Sequence, residues 1–234
     1  MIELYASGSA NVHKVLLMLE ELEEPYEIRF IDVFKGEQFD PEFVALNPNS
    51  KVPVIVDRRG RDPLTLFESG AILIYLAEEA GVLIPPKGAE RAEVLQWLMI
   101  QLTGVGPMFG QYVHFTRYMK DDPYAEARYR TEAIRLLDLV DKRLSTSPWI
   151  GGDAYSIADI AMFPWLRILR YLGLPHEGRP NLERWLSTVY ARPATARFLQ
   201  KLKPLMQASD ETVRLATDEA LDRFLGRGRY TRSA

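Results

Sequence analysis

A chain of 234 residues forms one large domain or two small ones, and its 47% hydrophobic and 26% charged residues are ordinary proportions for a globular protein. The net charge of −3 provides no general attraction to nucleic acid or anionic membranes, and no apolar stretch reaches the ~20 residues that a membrane-spanning helix needs. The absence of cysteine excludes disulfides, thiolate metal sites and a protein thiol nucleophile, so any thiol chemistry must use the sulfur of a small molecule.

The N-terminal residues and the histidines indicate neither targeting nor metal binding. The first residues contain no basic segment followed by an apolar run, so the sequence predicts a cytoplasmic protein without a signal peptide. His13, His114 and His176 lie far apart and match no metal-ligand spacing. We therefore expect packing or surface histidines and no metal.

The first third of the chain alternates strand and helix patterns. Apolar periodicity predicts strands at 2–5, 26–33, 52–56 and 64–67, and helices at 11–22, 41–46 and 69–79. A βαβ unit implies parallel pairing with a right-handed crossover, and two short strands joined by a polar turn imply an antiparallel pair. This mixed order predicts an α/β thioredoxin-like domain at residues 1–80.

The rest of the chain shows helical patterns only. Two glycines and two prolines at 81–88 predict a linker. Helices are expected at 89–118 with a break near 104–107, and at 124–144, 157–172 and 182–191, which predicts an all-α bundle domain at 89–204. The pattern at 156–159 is typical of a capping box, which stabilises a helix start. Residues 205–234 are predicted to be a frayed polar tail, with a basic arm that packs on a partner subunit as the alternative.

Glu68 and Ser69 lie between a predicted strand and a predicted helix. The serine and the unpaired N–H groups of a helix start attract an anion, and the glutamate beside them attracts an ammonium group. A carboxylate and an amine on one carbon, as in the γ-glutamyl group of glutathione, match this pair. An ordinary serine cap beside an exposed glutamate is the alternative interpretation.

Pro53 stands at the start of a predicted strand, where it leaves an irregular edge because proline donates no backbone hydrogen bond. An extended peptide can pair with the backbone of Val52 at such an edge. Lys51, together with Gln38, then provides polar groups for a terminal carboxylate. A simple turn lysine before a strand is the alternative.

Ser9 and Asn11 begin the first predicted helix. A thiol above that helix start has its pKa lowered from ~8.5 by the helix dipole and by hydrogen bonds, and these two short polar side chains can donate such bonds. A plain serine or asparagine cap is the alternative. Each of the three motifs is weak alone, but their order and spacing strengthen one another.

In this order the motifs resemble those of the glutathione transferases, and most of all the bacterial Nu class, whose members act as glutathione-dependent disulfide-bond oxidoreductases. The resemblance runs from about residue 1 to about residue 200. It is carried by LY (4–5), SANVHK (9–14), GEQF (36–39), NPNSKVP (47–53) and FESGAIL (67–73), and later by QWL (96–98), GPM (106–108), GQ (110–111), PWIGG (148–152) and YSIADI (155–160).

The resemblance implies a role for individual residues. Pro53 resembles the cis-proline that turns the Val52 backbone toward the cysteinyl unit of glutathione. Glu68 and Ser69 match the γ-glutamyl site. The remaining implied glutathione contacts are Gln38, Lys51 and Arg128, the last of them from within the subunit or across a dimer. Asn11 matches the catalytic asparagine of the Nu class, and Ser9 stands where that class has a threonine, so both are candidates for stabilising the thiolate.

The function that follows is reduction of a disulfide by one or two bound glutathione molecules, through a mixed disulfide that the second thiol resolves. Conjugation of glutathione to an electrophile is the first alternative, with Met108, Tyr112 and Phe115 as an apolar substrate wall or as ordinary core residues. A non-catalytic binding or regulatory protein of the same fold is the second alternative. The resemblance also implies a homodimer.

Overall fold

The computed structural model describes residues 1–118, 121–175 and 177–226. Two compact units are present: Met1–Ile72 together with the chain from Arg197 onward, and Leu73–Ala196. Of the features singled out in the sequence, His176 and the basic stretch at 227–232 lie outside the described residues.

The first unit is built on a four-stranded mixed sheet with the order β2-β1-β3-β4. Its strands are β1 (Ile2–Ala6), β2 (Tyr26–Phe30), β3 (Val54–Asp57) and β4 (Leu64–Phe67). Strand β1 runs parallel to β2 and antiparallel to β3, so that Leu4 lies opposite both Ile28 and Ile55, and β4 is antiparallel to β3. The predicted thioredoxin-like order is confirmed.

Three helices belong to this α/β arrangement: α1 (Ala10–Leu22), α2 (Pro41–Leu46) and α3 (Ser69–Ala80). Every residue of α1 from Val12 to Glu20 is buried, including the polar ones. Two predicted strand bounds are wrong by two residues or more. Strand β2 ends three residues before the predicted residue 33, and β3 begins two residues after the predicted residue 52. The later start of β3 follows from Pro53, which has no N–H to donate to the sheet.

The described regular elements of the second unit are all helices, as predicted, and an isolated β-bridge joins Trp149 and Gly152 in a loop. Helices α4 (Gly88–Ile100) and α5 (Gly106–Val113) are each followed by a π-helical segment, Gln101–Val105 and His114–Tyr118, where the sequence predicts one broken helix. The remaining helices are α6 (Pro123–Leu144), α7 (Ile157–Leu166), α8 (Leu169–Leu172) and α9 (Pro180–Tyr190). The predicted helix at 157–172 is therefore two helices. No described helix is both long and apolar enough to span a membrane.

Asp159 organises the core of the second unit. Its completely buried carboxylate accepts hydrogen bonds from the backbone N–H of Ile150 at 2.8 Å and of Ser156 at 3.0 Å, and from the indole of Trp185 at 2.8 Å. Ser156 caps α7 in return, which confirms the predicted capping box. Burial raises the pKa of Asp159 to about 6, although these hydrogen bonds favour the charged form. The network joins a loop, a helix start and α9.

The described chain after Pro204 forms helices at 205–215 and 218–225, so the predicted frayed tail is wrong for these residues. Helix α10 (Pro193–Leu215) continues through Pro204, and α11 (Asp218–Leu225) follows it. Helix α10 is stabilised by a stripe of apolar residues that are buried. Helix α11 is held by an aromatic contact, in which the ring centroids of Phe224 and Phe34 lie 4.5 Å apart. The buried members of the stripe are Phe198, Leu202 and Leu205, and the polar Ser209 is buried further along the same helix.

Candidate active site

The start of α1 carries two of the predicted site residues. Ser9 caps the helix, and its hydroxyl oxygen accepts a hydrogen bond from the backbone N–H of Asn11 at 3.3 Å. The side-chain amide of Asn11 makes no hydrogen bond with any described residue and is half-buried. The hydroxyl proton of Ser9 and the amide N–H groups of Asn11 are thus able to donate to a group above the helix start.

The loop before this helix is held in place by α10. The backbone N–H of Gly8 donates to the hydroxyl of Ser209 at 2.7 Å. A Cβ atom at Gly8 would lie 2.8 Å from the Ser209 Cβ and 3.2 Å from the Met206 sulfur. Glycine is therefore required at this position by the close approach of α10.

Replacement of Gly8 by alanine should lower the free energy of unfolding by about 1–3 kcal/mol, because α10 has to shift to accommodate the methyl group. Thermal and urea unfolding measure the loss. Gly60→Ala is the matched control, since the nearest atom to its added Cβ lies at 3.7 Å. Equal stability of Gly8→Ala and the wild type would contradict so close an approach of α10 to the loop.

The start of α3 combines an exposed acid with a buried hydroxyl and a buried amine. Glu68 has a φ of 67°, in the left-handed region that non-glycine residues adopt mainly at functional sites and turns. Ser69 is buried, and its hydroxyl accepts a hydrogen bond from the Nζ of Lys14 at 3.3 Å. Burial lowers the pKa of Lys14 to about 7, and the charge of Glu68 opposes that shift.

The turn before β3 is built around the buried side chain of Asn47. Its amide donates to the carbonyl of Lys51 at 2.7 Å, and its oxygen accepts from the backbone N–H of Asn49 at 2.9 Å. This leaves the Lys51 side chain exposed and leads into a cis peptide bond between Val52 and Pro53. The amide of Asn49 also lies 3.4 Å from a carboxylate oxygen of Glu68, so the turn and the start of α3 are adjacent.

Gln38 belongs to a short 3₁₀ turn, Glu37–Phe39, and is buried. Its amide donates to the backbone carbonyl of Val33 at 3.0 Å, while its oxygen has no hydrogen-bond partner among the described residues. The side chain stabilises its own loop, and contact with a ligand stays a prediction for it.

The matches of the chain to known proteins decide its family. Residues 8–79 match the family model described as "Glutathione S-transferase, N-terminal domain", and residues 98–193 match "Glutathione S-transferase, C-terminal domain". The disulfide-bond oxidoreductase YfcG of Escherichia coli is 44% identical over 214 residues, which cover 90% of this chain and 100% of YfcG. The chain belongs to the glutathione transferase family.

Solved structures of other glutathione transferases are similar throughout most of their length. One from Burkholderia graminis has two glutathione molecules bound per subunit; it is 45% identical, has a TM-score of 0.79, and the match covers 85% of this chain and 87% of that one. Another, from Pseudomonas putida, has one glutathione disulfide bound per subunit, with 39% identity, a TM-score of 0.78 and coverage of 85% and 90%.

The remaining site residues that the transferase resemblance implies lie in the second unit. Arg128 is exposed on α6. Of the expected apolar wall, Met108 and Phe115 are half-buried and Tyr112 is buried. The ring of Phe115 stacks on that of Tyr129 with centroids 5.5 Å apart. Contact of Arg128 with glutathione stays a prediction. Whether Met108, Tyr112 and Phe115 form a substrate wall or are ordinary core residues also stays open to experiment.

Two residues of this transferase were missed by sequence reasoning. Lys14 reaches Ser69 from α1, and the only sequence signal is a lysine next to the apolar positions of that helix. Ser209 supports Gly8 from α10, outside both ranges that the family models match. His13, expected to be a packing or surface histidine, is buried with its ring 6.2 Å from that of Phe198. Among the described residues no group of three or more His, Cys, Asp or Glu side chains is placed to hold a metal ion.

Proposed function

We propose that the protein is a glutathione-dependent disulfide-bond oxidoreductase. The observation that carries the proposal is the exposed carboxylate of Glu68 beside the buried hydroxyl of Ser69, together with the polar side chains of Ser9 and Asn11 at the start of α1, in a chain without cysteine. The sulfur therefore comes from glutathione, and the similar structures contain glutathione or glutathione disulfide.

The reaction is a disulfide exchange. Two glutathione thiols are oxidised to glutathione disulfide, and the disulfide of the substrate is reduced to two thiols, so that atoms and electrons balance without a further reductant. The rate of such an exchange depends on the thiolate fraction and on access to the sulfur. A protein can raise both by positioning the thiol and stabilising its anion, without a cysteine of its own.

The described residues divide this work among themselves. Ser69 and the start of α3 bind the carboxylate of the γ-glutamyl group, and Glu68 binds its ammonium. The Val52 backbone before Pro53 pairs with the cysteinyl unit, and Lys51 meets the terminal carboxylate, with Gln38 and Arg128 as further contacts. Ser9 and Asn11 donate hydrogen bonds to the thiolate at the positive end of the α1 dipole, which lowers the thiol pKa.

The wider assignment follows the family. We propose a member of the Nu class that forms a homodimer and acts in the cytoplasm on a small disulfide or electrophilic substrate. The division of the chain into a glutathione-binding domain at 1–80 and a helical substrate and dimer domain at 89–204 belongs to the same proposal. Light scattering of the purified protein tests the dimer directly.

A paired assay of the purified protein tests the reaction. We expect glutathione to reduce hydroxyethyl disulfide well above the uncatalysed rate, and conjugation of an aryl halide to be slow by comparison. Conjugation without disulfide turnover would assign the chain to the first alternative and retain the glutathione site. Binding of glutathione with neither activity would support the non-catalytic alternative instead.

A further inference from the structure

Lys14 is a buried amine that the proposed reaction does not yet use. Its side chain is 1% exposed, although lysine is almost never fully buried without a partner. Its Nζ lies 3.3 Å from the hydroxyl oxygen of Ser69. The titratable group that acts on its charge is the carboxylate of Glu68, from the residue that precedes α3. Both neighbours are residues of the proposed γ-glutamyl site.

The direction of this hydrogen bond determines what Ser69 can do. A hydroxyl has one proton to donate and two lone pairs that accept. Because the oxygen of Ser69 accepts from Lys14, its own proton is directed elsewhere, and no described residue accepts it. An ammonium behind the hydroxyl also makes it a stronger donor, since hydrogen bonds in a network polarise one another. Ser69 is thus prepared to donate to an anion.

We propose that Lys14 is a positioning residue of the carboxylate site: its buried ammonium orients the Ser69 hydroxyl toward the γ-glutamyl carboxylate of glutathione and supplies the balancing positive charge. The inference rests on the proposed function, since it assigns the ligand of the same site. It adds a charge that the exposed Glu68 and the helix start do not provide.

A proton is taken up on binding as a consequence. Burial places the pKa of Lys14 near 7, so the free protein at neutral pH is a mixture of the charged and neutral amine. A bound carboxylate favours the charged form and raises this pKa. The affinity for glutathione is then highest below about pH 7. It falls as the pH rises above that value, by up to about tenfold per pH unit, and becomes constant again once the pH exceeds the pKa of Lys14 in the bound state.

Isothermal titration calorimetry with S-methylglutathione tests the proposal, because the methyl group removes ionisation of the ligand thiol. Titrations in buffers of different ionisation enthalpy count the protons taken up near pH 7, and titrations from about pH 6 to pH 8 give the affinity profile. We expect uptake of about half a proton in the wild type near pH 7, where the amine is half ionised.

Two substitutions separate charge from structure. Lys14→Arg keeps a cation that does not titrate, so its affinity should lose the dependence on pH that Lys14 causes. Lys14→Met removes the charge with similar length, and we expect at least about tenfold weaker binding near pH 6 without proton uptake by this residue. In the disulfide-reduction assay, Lys14→Met should raise the KM for glutathione more than it changes kcat. Lys203→Met, at an exposed position on α10, is the matched control and should leave the profile unchanged.

The outcomes distinguish this inference from the function on which it rests. Any titration of the ligand amine is common to all variants, so the difference between the wild type and Lys14→Arg isolates Lys14. Wild-type binding with no proton uptake, or a folded Lys14→Met protein with the wild-type profile, would overturn the role of Lys14 alone. Failure of the wild type to bind S-methylglutathione at any pH would overturn the proposed function and this inference together.

Discussion

An Asn11→Ala variant should reduce disulfides about ten- to a hundredfold more slowly than the wild type while remaining at least as stable. The loss follows from removal of a donor to the thiolate: the thiol pKa then rises, and each unit by which it exceeds the assay pH lowers the thiolate fraction about tenfold. Stability should not fall, because the Asn11 side chain makes no hydrogen bond within the described residues and alanine is the better helix former. The apparent pKa of the pH–rate profile should also rise.

Comparison with Ser9→Ala makes the result specific. Ser9 caps α1, so that variant should lose about 1 kcal/mol of stability in addition to any loss of turnover. Steady-state kinetics with hydroxyethyl disulfide and thermal unfolding of both variants separate the two contributions. Wild-type turnover in Asn11→Ala, with a large loss in Ser9→Ala, would transfer the thiolate-stabilising role to the serine.

Alanine at position 159 should lower the free energy of unfolding by about 4 kcal/mol, the largest effect on stability that we expect from one substitution in the second unit. The carboxylate is the acceptor for two backbone N–H groups and for the indole of Trp185, and none of these buried donors can reach water once it is removed. Each buried donor without an acceptor costs about 1–3 kcal/mol. Urea unfolding monitored by tryptophan fluorescence and by circular dichroism gives the difference.

Asp153→Ala is the matched control for this change. It removes an exposed carboxylate from the same loop, and surface substitutions of that kind usually stay within about 0.5 kcal/mol of the wild type. A variant Asp159→Asn should fall between the two, because an amide oxygen still accepts while its NH₂ group faces donors. An Asp159→Ala protein that unfolds at the wild-type urea concentration would show that the donors find other acceptors.

Local signals in the sequence are sufficient for much of the fold and for the polar parts of the site. Helix starts are encoded by residues next to each other, so Ser9, Ser69 and the pair Ser156 and Asp159 are all placed correctly at helix starts without knowledge of any contact. The position of Pro53 likewise predicts an irregular strand start, which the structure has.

Contacts between distant segments are beyond the reach of such signals. A lysine on a helix ordinarily belongs to the solvated face, and only the burial of α1 on all sides turns Lys14 into a partner of Ser69. The sequence does not predict that α10 continues past Pro204, because a proline inside a helix normally ends it. In the structure, the packing of Leu202 and Leu205 outweighs the one hydrogen bond that the proline removes.

The first unit is made of two distant stretches of the chain, and the contacts of α10 and α11 with residues 1–72 have a consequence for biosynthesis. The loop at Gly8 is among the first segments to leave the ribosome, but its partner Ser209 is made 201 residues later, and Phe224 reaches Phe34 later still. Since domains generally fold as units from the N-terminus during synthesis, we expect residues 1–72 to emerge with the loop at Gly8 unsupported by α10. Nascent chains stalled before Ser209 should accordingly be cleaved by protease near Gly8, and longer ones protected.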